Sequence, residues 1–81
     1  MASLDREFYI ALGKVLRHQR ENLNLSLQEV VDKLPKNNKI VKQTLSKYEK
    51  GERRIDTITF NEICKILGLN PKNVLNSIRF D

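Results

Sequence analysis

Tryptophan is absent from this 81-residue chain, cysteine and methionine occur once each, and only two prolines and three glycines are present. The lone thiol, Cys64, has no partner for an internal disulfide, so a reducing cytoplasm is the expected setting. One Cys and one His, His18, fall short of a zinc ligand set, and no metal site is expected. So few turn-forming residues disfavour a β architecture. No apolar run reaches bilayer length, and Met1-Ala2-Ser3-Leu4-Asp5-Arg6 lacks an apolar stretch of the signal-peptide kind. A nucleophile–base pairing, a paired-carboxylate spacing and a phosphate loop are also missing. No catalytic residue, cofactor or small-molecule substrate is therefore expected.

Acid is scarce where base is dense. Residues 33–54 hold eight basic residues (Lys33, Lys36, Lys39, Lys42, Lys47, Lys50, Arg53 and Arg54) against Glu49 and Glu52 alone, a net of +6. The rest of the chain nets −1, so the middle carries all of the +5 excess. That distribution is the footprint of a polyanion binder. A solvated lysine-rich surface would give the same count, so charge needs a second signal beside it.

The length allows one domain, residues 1–81, and a compact helical core suits it. Apolar spacing at Phe8, Leu12, Val15 and Leu16 predicts a first helix over about 5–23. Ser26 with Glu29 has the form of a capping box, and Leu25 with Val30 that of a hydrophobic staple. A short second helix, about 27–34, then turns Leu27, Val30, Val31 and Leu34 inward until Pro35 restricts the residue before it. A polar loop, Lys36-Asn37-Asn38-Lys39, leads to a third helix, about 41–50, with Leu45 and Tyr48 inward and Gly51 as its stop. Asp56 caps a fourth, about 57–67, burying Phe60, Ile63, Cys64 and Leu67. Asn70-Pro71 opens a fifth, about 71–79, with Val74, Leu75 and Ile78 as apolar positions. The expected class is all-α with five helices.

Three stretches in this order resemble a known family. They are Leu12-Gly13-Lys14-Val15-Leu16-Arg17-His18-Gln19-Arg20-Glu21, Leu25-Ser26-Leu27-Gln28-Glu29-Val30, and Thr44-Leu45-Ser46-Lys47-Tyr48-Glu49-Lys50-Gly51. With the ending Leu67-Gly68-Leu69, they look like the Cro/cI-type (XRE) helix-turn-helix family over residues 12–69. The resemblance implies a five-helix, lambda-repressor-like DNA-binding domain. Its second helix would be the scaffold and its third the recognition helix. Lys42, Gln43, Thr44, Ser46 and Lys47 would then meet base edges, where Gln suits adenine and Lys suits guanine. Gln28, Lys36, Lys39, Lys50, Arg53 and Arg54 would meet phosphates, fixing register without reading sequence. Arg20 and Glu49 would form an ion pair that orients the recognition helix.

Two departures from the family pattern stand out. The segment 34–44 is about four residues longer than the compact turn. Leu27 occupies the place where many relatives have a phosphate-contacting Gln, which Gln28, pointing elsewhere on the helix, would replace only in part. The implied function is a cytoplasmic, sequence-specific transcriptional regulator, a repressor on a (pseudo)palindromic operator in double-stranded DNA. The expected assembly is a homodimer through Leu75, Ile78 and Phe80, since one recognition helix alone gives limited affinity. Open beside it are a restriction–modification controller, the N-terminal piece of a longer regulator, and a protein-interaction module on the same fold, such as an antitoxin or phage-encoded inhibitor.

Overall fold

Ser26, Asp56 and Asn70 each end a stretch of irregular chain and start a helix. Ser26 Oγ accepts the Glu29 N–H at 3.0 Å while the Ser26 N–H donates to Glu29 Oε1 at 2.8 Å. Asp56 Oδ2 accepts the Thr59 N–H at 3.1 Å. Asn70 Oδ1 accepts from Lys72 at 2.9 Å and Asn73 at 3.3 Å, with Pro71 opening the helix. Each bond satisfies an N–H that the first helical turn leaves without a partner. A computed structural model describes residues 2–78, with side chains from Arg6 onward. The helices are α1 (Ala2–Asn22), α2 (Leu27–Asp32), α3 (Lys42–Lys50), α4 (Thr57–Leu67) and α5 (Pro71–Ser77). The described residues contain no strand, and none of their helices is long and apolar enough to cross a membrane.

Three boundaries differ from the sequence expectation by two residues or more, and the end of α1 and the start of α3 by one. α1 already runs at Ala2 rather than starting at Asp5, because nothing in Ala2-Ser3-Leu4 interrupts a helix. α2 ends at Asp32, not Leu34. There Lys33 donates to the Val30 carbonyl and Leu34 to the Val31 carbonyl, three-residue bonds that tighten the last turn ahead of Pro35. α5 ends at Ser77, whose hydroxyl donates to the Val74 carbonyl at 2.7 Å, and Ile78 leaves in an extended conformation.

The core is one cluster. It takes Leu12 and Leu16 from α1, Val30 from α2, Leu45 and Tyr48 from α3, Val74 from α5, and Phe60, Ile63, Cys64 and Leu67 from α4. The spacing of three and four residues within α1 and α4 puts each set on one face. Fully burying a Leu or Ile side chain contributes about 1.5–3 kcal/mol, so these contacts dominate the fold's stability. Ile55, from the basic loop ahead of α4, joins the cluster although nothing in its neighbours marks it as apolar structure. α1 packs against α3, α4 and α5, and α2 against α3. α3 is therefore held from two sides.

Candidate nucleic-acid interface

Burial divides α3 into two faces. Leu45, Tyr48 and Glu49 are buried, whereas Lys42, Gln43 and Lys47 are exposed and Thr44 and Ser46 half-buried. Positions 43, 46 and 47 are three and four residues apart, so they share the outer side of the helix. The N-cap of α3 is Val41, whose side chain makes no capping bond and is 59% exposed. Sequence reasoning passed over Val41. The available signal was an apolar residue standing where Ser, Asp or Asn starts the other capped helices.

The orientation of α3 is set from α1. Arg20 Nε donates to Glu49 Oε2 at 2.7 Å and its Nη2 to Glu49 Oε1 at 3.0 Å, a two-pronged pair. Its remaining nitrogen, Nη1, donates to the Leu25 carbonyl at 2.8 Å. One side chain thus joins α1, the turn before α2, and the last turn of α3. The hydrogen bond to Glu49 raises the Arg20 pKa above its ordinary value, so the guanidinium stays charged. Close approach makes this reach possible. A Cβ at Gly13 would collide with the Tyr48 and Glu49 carbonyls, and one at Gly51 with Ile10. Gly51 also closes α3 in the left-handed region at φ 72°.

The enlarged loop between α2 and α3 is anchored rather than loose. The Asn38 N–H donates to the Pro35 carbonyl at 2.9 Å, closing a turn. The Asn38 amide donates to Thr59 Oγ1 at 3.2 Å, and that hydroxyl lies 3.4 Å from Asn38 Oδ1. Thr59 sits on α4 and is 3% exposed, so the loop is tied to the core. Leu34 and Ile40 pack on the core at either end of the loop. Sequence reasoning missed the Asn38–Thr59 contact, which crosses 21 residues and has no local signature.

The remaining candidates are distributed unevenly. Lys36 and Lys39 are exposed on the anchored loop, and Lys50, Arg53 and Arg54 on the segment after α3. The Arg54 guanidinium lies over the Tyr9 ring, 5.7 Å from its centroid. Gln28 does not project freely, because its amide donates to Asp32 Oδ1 at 2.8 Å. Leu75 is exposed and Ile78 half-buried, while Phe80 lies outside the described residues. Leu75 borders an apolar cleft of about 220 Å³ with Phe8, Leu12, Ile55 and Phe60.

Neither the curated proteins nor the solved structures contain a match to this chain. A family model described as a helix-turn-helix domain matches residues 13–78, which takes in α2, α3, α4 and α5 and the α1 segment bearing Gly13 and Arg20. The chain belongs to this helix-turn-helix domain family, one typical of XRE/Cro-type regulators.

Proposed function

We propose that the protein is a sequence-specific DNA-binding repressor, acting in the cytoplasm on a (pseudo)palindromic operator. One observation carries the reading. α3 exposes Lys42, Gln43 and Lys47 on one side, while its other side is locked to α1 through Arg20 and Glu49. A rigidly held helix with a polar outer face is what major-groove readout requires. Lys42, Gln43 and Lys47 are assigned to base edges, with Thr44 and Ser46 at the margin of that face. Val41 joins them, its exposed methyls suited to a thymine methyl. Lys36, Lys39, Lys50, Arg53 and Arg54 are assigned to the phosphate backbone. Gln28 would have to release Asp32 before taking part.

A homodimer through Leu75 and Ile78 completes the reading, since two-fold proteins read half-sites about one helical turn apart. The apolar cleft beside Leu75 supports that choice of surface. The test is a footprint on the DNA upstream of the protein's own gene, with sedimentation of the free and bound protein. Protection of a two-fold site by a dimer is expected. An absence of protection on any upstream sequence would favour a protein-interaction role instead.

A further inference from the structure

A second cationic feature lies partly outside the matched region. The first turns of α1 and the segment after α3 enclose a cleft of about 450 Å³. Arg6, Lys50, Arg53 and Arg54 bring four cations to its walls, and Tyr9 brings an aromatic face. Glu52 is the single carboxylate among the described lining residues. Three positive charges are thus in excess around one opening.

Several observations make this a built feature rather than a chance gathering of surface lysines. Arg6 and Ile10 are four residues apart on α1, hence on one side of the helix. Ile10 is the residue against which Gly51 is seated, so Arg6 is carried to the loop by tight backbone packing. Tyr9 lies under Arg54 and meets the edge of Phe8, with ring centroids 5.1 Å apart and planes at 83°. The wall that holds Arg6, Tyr9 and Ile10 precedes residue 13, where the family match begins. The early turns of α1 therefore add a cation to a loop already assigned to the backbone.

Guanidinium forks match the geometry of a phosphate group. We infer that the cleft takes a DNA backbone phosphate, with Arg6 as a contact supplied by α1 itself. This rests on the DNA-binding reading above. It extends the footprint beyond α3 and its loop, to a phosphate that carries no base information.

The test is the salt dependence of DNA affinity for the full chain, with R6Q, R6K and E52Q variants. Arg6 is exposed, so thermal melts of the variants should overlay that of the parent. R6Q is expected to lower the slope of log affinity against log salt by about 0.9, on specific and unrelated sequences alike. R6K should keep the parent slope, and E52Q should bind every sequence more tightly. A parent slope retained in R6Q, or one that falls equally in R6K, overturns the inference while leaving the DNA-binding reading intact. A parent protein that binds no DNA overturns both. Inorganic phosphate is the control arm. Saturable shifts of the Arg6 side chain with phosphate alone, without a slope change on DNA, would assign the cleft to a free anion.

Discussion

Arg20 holds Glu49 with two nitrogens and the Leu25 carbonyl with a third, so one guanidinium ties α3 to α1 and to the turn before α2. Glu49 is 7% exposed, and losing Arg20 would leave its carboxylate buried without a counter-charge. Arg20→Ala and Glu49→Ala should each destabilise the fold by about 2–4 kcal/mol. The double variant should cost less than the sum, because removing both charges leaves neither stranded. Urea denaturation of the four proteins measures this, and strict additivity would show that the pair does not couple.

Asn38 and Thr59 make the corresponding tie for the enlarged loop. Thr59→Val keeps the shape of the side chain but removes its hydroxyl, and should cost about 1 kcal/mol. Asn38→Ala should cost a similar amount, and the two should not add. Hydrogen exchange of the Asn38 amide should quicken in Thr59→Val while that of Leu45 in α3 changes little. Equal exchange in parent and variant would mean that the loop holds its shape without α4.

Cys64 lies fully buried on α4, and burial pushes its thiol from an ordinary 9.0 up to about 11. The folded protein should therefore react with disulfide reagents at neutral pH only as fast as it opens. The sign of the pH effect follows. The raised pKa means that stability is held below pH 9.0 and lost as pH rises toward about 11, where the unfolded chain ionises first. Cys64→Ala should flatten that alkaline decline, at the cost of a small cavity.

Asp56 acts in the opposite direction. Hydrogen bonds from Thr59 hold its carboxyl below the ordinary range. Its contribution is present above the unfolded pKa and lost as pH falls through the folded one. Asp56→Ala should cost about 1 kcal/mol at neutral pH and remove part of the acid sensitivity. Thermal melts from pH 6 down to pH 3 report both effects.

Features governed by near neighbours were legible in the sequence. Ser26 with Glu29, Asp56, Asn70 with Pro71, and Gly51 are local signals, and each sits at the helix end it marks. The spacing of Leu12 with Leu16, and of Phe60, Ile63, Cys64 and Leu67, gave the buried faces for the same reason. Features that depend on distant partners were not. Ile55 is buried in a stretch that reads as a basic loop, and Leu75 is exposed because α5 docks through Val74. Arg20 and Glu49 were reached only through the family resemblance, since no periodicity links positions on α1 and α3. The Arg6 cleft exists because α1 starts earlier than its apolar pattern and crosses the end of α3.

The central claim is that the outer face of α3 reads DNA sequence. Footprinting on the operator, with unrelated DNA in competition, tests it through Lys42→Ala, Gln43→Ala and Lys47→Ala, singly and together. Each single change should cost about 1–3 kcal/mol of discrimination, and the triple variant should lose the footprint while still binding DNA weakly at low salt. Arg53→Ala should instead weaken binding on every sequence, with a shallower salt slope. A footprint that survives the triple substitution unchanged would contradict the account.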